Sequence, residues 1–570
     1  MDIEQLRGLI RAIDHKGYPA CKGLKGRYDA GKYEISIDHV QGDPFASPSS
    51  LSARIDLDTA GFPKEYRKAR HIRIAIADRI LRRFSAELDK ISHQTPGSGA
   101  SGLLATSHPG QEILERSACE IRDEHLVLRF LAGFPARGRT IDGRGLEKML
   151  CELLPPVLDK ILFYRNWDPD ELQRTYELAE DQQYIRSEIR KRKLVAFVAD
   201  GSILPRQSGV SDKPMKKAVL FASPETLKVT MDLPHAGKKT GMGLPEGVSL
   251  IVGGGYHGKS TLLKALQSSV YDHITGDGRE YVITDASAVK IRAEEGRYIH
   301  DLDISPFIHD LPDHRDTAHF CTEDASGSTS QAAAVMESME SGARVLMIDE
   351  DTSATNFLVR DELMKKVVSD SQEPITPLIA YLRELYEKQG VSTIIVAGSS
   401  GVFFGAADTI LQMDDYRPYD IREKTERLLK DYPVVIPEGK KELIRQKDRP
   451  CAIEMFCGRT KKDYRGNTKT DDRIKCKISG KDGFSIDRQY VDLRLVEQIA
   501  DSEQVAALAG ILREILKKGN GNRTCVQIAE QALEQLGQKG IGSFCGGTKA
   551  CGLAAPRKQE ILAMLFRCRG

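Results

Sequence analysis

The sequence predicts an α/β fold for its central part, residues 191–435, and three observations support this. Apolar runs of strand length alternate there with helical segments, as in a parallel sheet covered by helices. A glycine-rich run at 253–260 lies between one such apolar run and a helical segment. A second apolar run, 345–350, ends in two acidic residues. We expect the flanking parts, 1–190 and 436–570, to be α+β domains, the second of them small.

Length and composition limit the possible classes of protein. A chain of 570 residues is long enough for about three to four domains. The 83 basic and 82 acidic residues give a net charge of +1, so a nucleic-acid or membrane surface has to be a local patch. The 11 cysteines include no CxxC pair, which favours reduced thiols over disulfides or zinc. We find no secretory signal and no membrane span, and we therefore expect a cytoplasmic protein without a membrane or transporter partner.

The first domain is expected to contain both strands and a long helix. The alternation of polar and apolar residues over 33–37 predicts a strand. A loop rich in proline, glycine and serine follows at 40–50. Apolar residues then recur every four positions, which predicts one face of a helix, at Ile72, Ile76, Ile80 and Phe84. The basic run 186–193 precedes a new apolar run, so we place the first domain boundary near residue 190.

The glycine-rich run has the spacing of a phosphate-binding loop. It fits GxxxxGK[ST] and consists of Gly253, Gly254, Gly255, Tyr256, His257, Gly258, Lys259 and Ser260. Glycines let the backbone amides wrap around a phosphate, and the helix that we expect from Thr261 onward adds its positive end. Lys259 should reach the β- and γ-phosphates, and Ser260 should bind Mg²⁺. These residues, with Thr261, predict a site for ATP and Mg²⁺.

The acidic pair at the end of the second apolar run supplies the remaining chemistry. Asp349 can hold the hydrated Mg²⁺, and Glu350 can accept a proton from the attacking water. Such a pair at the end of a strand is common, but after a phosphate-binding loop it becomes informative. Lys259 and Glu350 are therefore the predicted catalytic residues.

A third element is the serine-rich segment 325–331, before a helix that we expect over 332–340. Its hydroxyls, amides and helix N-terminus can bind an anion, and we assign Ser326, Gly327 and Ser328 to the nucleotide site. A plain serine helix cap remains the alternative.

The order of these elements resembles that of the ABC ATPases: phosphate-binding loop, signature loop, acidic strand, then a D-loop, here at 351–356. In that class the signature loop of one subunit closes on the γ-phosphate held by the other. The resemblance therefore implies a head-to-tail homodimer with two ATP molecules between its subunits.

Longer stretches of the chain resemble the family of predicted ATPases of the ABC class. They include GGGYHGKST, VKIRAEEGR, DISPFI, ASGSTSQAA and LMIDEDTSATNFLVRD, with VQGDPFASPS near the start and VDLRLVEQIADSEQ near the end. The family layout implies an N-terminal domain, an ABC nucleotide-binding domain and a small C-terminal domain without transporter spans. One member is a mitochondrial RNA-binding ATPase associated with RNA editing, which implies RNA or other nucleic acid as a partner.

The sequence also departs from ordinary ABC ATPases. No histidine lies between Gly390 and Asp408, where the switch histidine is expected; Ser399 or Ser400 stands there instead. The D-loop has Asn356 in place of an aspartate, and no glutamine separates the P-loop helix from the signature loop. These differences leave nucleotide binding intact and predict slow, gated hydrolysis.

Three basic runs, 66–84, 186–193 and 459–477, suit the phosphate backbone of a nucleic acid. The residues assigned to this contact are Arg79, Arg82, Arg83, Lys461, Lys462 and Arg465. A solvated charged surface remains the alternative. The stretch from Arg137 to Arg139 could touch nucleic acid but better suits a subunit interface or plain surface. The stretch from Gln41 to Phe45 suits a structural turn, with a pocket near the nucleotide as the alternative.

The function that combines these elements is an ATP-driven clamp, in which two subunits close on two ATP molecules around a nucleic-acid strand. Two other functions remain open: a P-loop phosphotransferase acting on a small molecule, and a nucleotide-gated scaffold for protein partners. A phosphotransferase has no need of a signature loop supplied by a second subunit.

Overall fold

The computed structural model describes residues 1–360, 367–368, 372–446, 449–455, 459–462, 468–471, 474–487, 489–545 and 551–569. The chain forms two compact units. One comprises Met1–Glu180 with Gln535–Ala555, and the other comprises Asp181–Glu534 with Pro556–Gly570. The division into three domains at residues 190 and 435 stays a prediction.

The first unit contains a mainly antiparallel sheet and the helices that cover it. Its helices include α1 (Ile3–Ile13), α2 (Leu57–Ala60), α3 (Arg70–Ile91), α4 (Gly143–Glu147) and α5 (Leu154–Leu162). Its strands are β1 (Gly26–Asp29), β2 (Glu34–His39), β3 (Ser49–Asp56), β4 (Leu104–Ala105), β5 (Glu112–Ile113), β6 (Cys119–Arg122), β7 (His125–Ala132), β8 (Ala136–Arg137) and β9 (Thr140–Ile141). The main sheet has the order β1-β2-β3-β7-β4, with β6 also beside β7.

The predicted helix of this unit is confirmed as α3. The four residues of its apolar stripe, from Ile72 to Phe84, are all buried in the core. Each such side chain contributes about 1.5–3 kcal/mol on burial. The predicted strand at 33–37 is confirmed as β2, one residue later at its start.

The elements that follow lie wholly or partly in the second unit. The helices are α6 (Pro169–Lys191), α7 (Lys259–Ser268), α8 (Gly327–Glu340), α9 (Thr355–Leu358), α10 (Leu382–Glu387), α11 (Arg422–Asp431), α12 (Ser502–Lys518), α13 (Cys525–Lys539) and α14 (Lys558–Arg567). The strands are β10 (Leu194–Ala199), β11 (Arg206–Ser208), β12 (Ser211–Pro214), β13 (Lys228–Leu233), β14 (Gly237–Pro245), β15 (Val248–Val252), β16 (Asp272–His273), β17 (Val282–Thr284), β18 (Val289–Ile291), β19 (Arg297–Leu302), β20 (Phe320–Ala325), β21 (Val345–Asp349), β22 (Ser392–Val396), β23 (Thr409–Asp414), β24 (Arg417–Asp420), β25 (Arg459–Lys462), β26 (Thr468–Asp471), β27 (Cys476–Ile478), β28 (Gly483–Ile486) and β29 (Gln489–Asp492).

A six-stranded sheet is the framework of the second unit, with the order β18-β21-β22-β15-β23-β24. Its first five strands are parallel, and β24 returns antiparallel to β23. Strands β21 and β22 are buried along their whole length, which explains their nearly continuous apolar sequences. A separate antiparallel sheet, β13-β14-β10-β17, belongs to the same unit.

Candidate active site

Three loops leave the parallel sheet at the same level of its carboxyl edge. In the strand register, Val396 of β22 pairs with Ile251 of β15 on one side and with Asp349 of β21 on the other. The loops that follow these three strands therefore start side by side. This edge is where α/β sheets bind their ligands.

The loop after β15 has a backbone that only glycine can follow at two points. Gly253 and Gly258 have φ angles of 143° and 98°, in the left-handed region. A Cβ atom on Gly253 would lie 2.4 Å from the carbonyl oxygen of Met413. Gly258 is the N-cap of α7, so the loop runs directly into the positive end of this helix. The helix begins at Lys259, two residues earlier than predicted.

Lys259 lies over the loop that precedes it. Its ammonium group donates hydrogen bonds to the carbonyl oxygens of Gly253 (2.6 Å) and Gly254 (2.8 Å). In the first turn of α7, Ser260 is exposed and Thr261 is half-buried. The amine and the two hydroxyl residues are thus all at the mouth of the glycine cradle, where they can reach a phosphate and its cation.

His257 fastens this loop to the turn between β23 and β24. Its Nδ1 accepts a hydrogen bond from the backbone amide of Asp415 (2.9 Å), and its carbonyl accepts one from the amide of Tyr416 (3.2 Å). Nδ1 also lies 3.1 Å from a carboxylate oxygen of Asp414. Because Nδ1 already accepts a hydrogen bond from the Asp415 amide, we interpret His257 as a residue that fixes the loop rather than as a metal ligand. Sequence reasoning missed this role, because the two partners are about 160 residues apart.

Asp349, at the end of β21, is almost fully buried. Its carboxylate accepts a hydrogen bond from the amide of Asp351 (3.3 Å), and burial raises the pKa of Asp349. A buried carboxylate with so few donors is suited to a cation. The side-chain oxygen atoms of Asp349 and Ser260 are of the kind that Mg²⁺ prefers.

Glu350 is held by the loop that follows β22. One carboxylate oxygen accepts hydrogen bonds from the amides of Gly398 (2.6 Å) and Ser399 (3.0 Å), and the other accepts one from the Ser399 hydroxyl. Burial raises the pKa of Glu350, but the Ser399 hydroxyl and the amides of this loop outweigh burial and lower the pKa overall. Glu350 is therefore kept ionised, in contact with Ser399, one of the two serines expected at the switch-histidine position.

The serine-rich segment forms the start of α8. This helix begins at Gly327 rather than at the predicted residue 332, and Ser326 is its N-cap. The Ser328 hydroxyl donates to the side-chain oxygen of Asn356 (2.8 Å). Gln331 reinforces the connection: its amide nitrogen donates to the Ser353 hydroxyl (2.8 Å), and its oxygen accepts from the Ala354 amide (2.9 Å). The signature and D-loop candidates of one chain are thus joined to each other, a contact that sequence reasoning did not foresee.

The three arginines of α3 that were assigned to nucleic acid have partners inside their own unit. Arg79 pairs with Glu171, Arg82 pairs with Asp78, and Arg83 stacks on the ring of Trp167 at 4.3 Å. Their assignment stays a prediction. Lys461 and Lys462 belong to β25, and Arg465 lies outside the described residues.

These features define a P-loop nucleotide-binding domain, and comparison with known families agrees. A model for the ABC ATPase family, described as a P-loop domain, matches residues 168–449. A model described as the N-terminal domain of ATPases of the ABC class matches residues 3–165, and one described as the MRB1590 C-terminal domain matches residues 475–570. Because these three consecutive matches run through nearly the whole sequence, the chain belongs to the ATPases of the ABC class.

Individual relatives add little to this assignment. The chain is 30% identical over 248 residues to the uncharacterized protein MJ1628 of Methanocaldococcus jannaschii, which corresponds to 42% of this chain and 54% of that protein. The chain thus spans about half the length of this curated relative.

Solved structures with local likeness include an ADP-bound ATP-binding cassette of an ABC transporter, MJ1267 (12% identity, TM-score 0.23, 36% of this chain and 94% of that one). Another is cbiO1 of Clostridium perfringens (14% identity, TM-score 0.24, 42% and 93%). TM-scores this low do not establish a common overall fold. In the described part of the chain, every helix is too short or too polar to cross a membrane.

Proposed function

We propose that the protein binds and hydrolyses ATP with Mg²⁺ at the carboxyl edge of its parallel sheet. The observation that carries this proposal is the register that brings the loops after β15, β21 and β22 to one level. Lys259 and the amides around Gly258 would bind the phosphates, while Ser260 and Asp349 would hold Mg²⁺. The metal would offset the charge of the phosphates.

Glu350 is the proposed general base. Its carboxylate is ionised, and the oxygen that accepts the Ser399 hydroxyl would also take up the proton of the attacking water. The same hydrogen bonds lower its basicity and fix its position. We therefore expect slow hydrolysis that speeds up when the loop at 398–400 releases the carboxylate.

The active form would be a head-to-tail homodimer. Ser326 and Ser328 make their described hydrogen bonds with Thr329 and Asn356 of their own chain, outside the P-loop. The serine turn is thus a preformed surface with an exposed helix N-terminus, which suits the γ-phosphate held by a second copy. ATP binding would then stabilise the closed dimer, because only that state contacts the nucleotide from both sides.

The proposed partner is RNA. The C-terminal match is to the MRB1590 C-terminal domain, and the family that the sequence resembles includes an RNA-binding ATPase. Closure on ATP would be coupled to RNA binding. We propose that this activity is cytoplasmic, because the sequence has no CxxC motif and its cysteines are expected to be reduced thiols.

Glu350→Gln tests the catalytic part of the proposal. Phosphate release from ATP should fall at least about 100-fold, because a positioned general base contributes about 10²–10⁴ in rate. ATP affinity should remain within about threefold of the parent, since Glu350 is not assigned to binding. The measurement is steady-state phosphate release with and without RNA, together with equilibrium binding of a fluorescent ATP analogue.

The matched control is Glu423→Gln, the same chemical change on α11, where the side chain is 93% exposed. It should hydrolyse ATP at the parent rate. Equal rates in Glu350→Gln and the parent would remove Glu350 from the mechanism.

A further inference from the structure

Three loops of the first unit pack together, two of them around a buried amide side chain. They are 41–48, 95–102 and 134–140, and we call them together the Phe45 platform. The Gln41 side-chain oxygen accepts hydrogen bonds from the amides of Ser49 and Phe134, both at 3.3 Å. Its nitrogen donates to the carbonyl of Asp43 (3.2 Å). The two motifs that nucleotide chemistry leaves unexplained, around Asp43-Pro44-Phe45 and around Arg137, are thus parts of one structure.

Backbone contacts fix the platform in place. The amide of Ala100 donates to the Pro44 carbonyl (2.9 Å), and the amide of Ser98 donates to the Ala136 carbonyl (2.8 Å). Gly99 has a φ of 62°, and a Cβ on it would lie 2.2 Å from the Pro44 oxygen. The loops are therefore packed too closely for any other residue at Gly99, and the conformation of Pro44 and Phe45 is largely preset.

What projects from this rigid base is a large aromatic ring between small residues. Phe45 is 68% exposed, although burying such a side chain is worth about 1.5–3 kcal/mol. Its exposed neighbours in sequence, Ala46 and Ser47, have short side chains. An aromatic ring without bulky neighbours can stack on another planar ring. Covering the ring in this way would also remove its apolar surface from water.

The basic side chains of the platform are more exposed to solvent than its acidic side chains. The side chains of Arg137 and Arg139 are 87% and 77% exposed, whereas those of Asp43 and Asp142 are only 33% and 21% exposed. The two carboxylates are directed at the backbone: Asp43 accepts from the amide of Phe45 (3.1 Å), and Asp142 accepts from the amide of Gly145 (2.9 Å). Each carboxylate also pairs with an arginine: Asp43 with Arg139 (2.7 Å) and Asp142 with Arg137 (3.9 Å). The amide of Phe45 and the guanidinium of Arg139 lower the pKa of Asp43. The guanidinium groups are therefore the outermost charges of the platform, and the carboxylates that pair with them lie beneath.

We infer that the Phe45 platform binds a single-stranded nucleic acid, with one base stacked on Phe45 and the flanking phosphates on Arg137 and Arg139. An exposed aromatic ring on the same platform as exposed cationic side chains is the combination that single strands require, since every base offers a face and every nucleotide a phosphate. The inference deepens the proposed function and rests on its RNA-binding part. A second copy of the chain fits less well, because one ring amid glycine, serine and arginine offers little apolar area for a stable dimer.

The test measures binding of a fluorescein-labelled single-stranded oligouridine RNA by anisotropy. Phe45→Ala should weaken binding at least about tenfold, because base stacking is typically worth 1–3 kcal/mol. Phe45→Trp should retain the parent affinity. Replacing both Arg137 and Arg139 with alanine should reduce the slope of log K against log salt by about 1.4, since each phosphate contact contributes about 0.7 for single strands.

Phe45→Trp also gives a signal that a structural role would not produce. The chain has a single tryptophan, Trp167, which is only 4% exposed. The new indole would be the exposed one, and stacking on a base should quench its emission as RNA is added. The control for the arginines is Lys64→Ala, an exposed cation elsewhere in the same unit, which should leave both affinity and salt slope unchanged.

The possible outcomes separate this inference from the proposed function. If the parent binds RNA and Phe45→Ala binds it equally well, the platform inference is overturned while RNA binding stands. If the parent does not bind RNA, both fail. If Phe45→Ala loses self-association instead of RNA affinity, as measured by light scattering, the platform is a contact between copies and the inference is wrong.

Discussion

The carboxyl edge of the parallel sheet and the Phe45 platform are both built from several loops, but they differ in how they acquire their chemistry. At the sheet edge, most of the chemistry lies in one contiguous stretch from Gly253 to Thr261, and the strand register aligns the rest. On the platform, the three projecting side chains come from two loops, and a third loop only supports them. The sheet edge therefore has a sequence signature, whereas the two motifs of the platform are separate in the sequence and only folding joins them.

This difference also sets how each region should respond to substitution. At the sheet edge a single side chain carries a full charge toward the expected phosphate, so its loss should be severe. On the platform the binding energy would be shared between a ring and two guanidinium groups, so each loss should be moderate. The following variants test whether the two regions respond to substitution in these different ways.

Lys259→Ala should have the largest effect on binding. The ammonium group would donate charge-assisted hydrogen bonds to phosphate oxygens when ATP binds, so its removal should lower ATP affinity about 100-fold. Isothermal titration with an ATP analogue measures this. Lys264→Ala, an exposed lysine on the same helix, is the matched control and should bind normally. Loss of less than about threefold in Lys259→Ala would mean that the glycine loop is not a phosphate cradle.

Phe45→Ala follows, with the loss of about tenfold in RNA affinity given above. If Phe45→Ala lowers RNA affinity by as large a factor as Lys259→Ala lowers ATP affinity, or by a larger one, the two regions do not differ as proposed. The platform would then depend on one side chain, as the sheet edge does.

Ser399→Ala should have the smallest effect, and in the opposite direction. Removing the hydroxyl takes one hydrogen bond from the Glu350 carboxylate, which becomes more basic and freer to move. We expect ATP hydrolysis to rise about threefold, on the modest dependence of general-base catalysis on basicity. Ser400→Ala keeps its backbone amide and should hydrolyse ATP at the parent rate. A fall in rate with Ser399→Ala would show instead that the hydroxyl positions Glu350 for catalysis.

Much of the sheet edge could be predicted from the sequence, because short-range patterns determine it. Residue spacing and apolar runs predict the phosphate-binding loop, β15, β21 and the acidic pair. The starts of two helices were predicted too late: α7 begins at Lys259, two residues before the predicted start, and α8 begins at Gly327, five residues before it. Helix caps shift such boundaries, and Ser326 caps α8 earlier than its apolar residues indicate.

Contacts between distant segments could not be predicted. His257 with Asp415, Gln331 with Ala354, and Gln41 with Phe134 each join residues whose pairing depends on the whole topology. Polar side chains that brace loops have no periodicity to reveal them. The exposed ring of Phe45 likewise gave no signal, because a lone aromatic in a loop is equally compatible with burial.

In the proposed dimer, ATP is bound by the glycine cradle of one copy and covered by the serine turn of another. Light scattering of the Glu350→Gln protein, with and without ATP and Mg²⁺, shows whether this dimer forms. We expect a mass near 63.2 kDa without nucleotide, that of one chain, and about twice that mass with ATP and Mg²⁺. A protein that binds ATP yet keeps the mass of a single chain would rule the proposed dimer out.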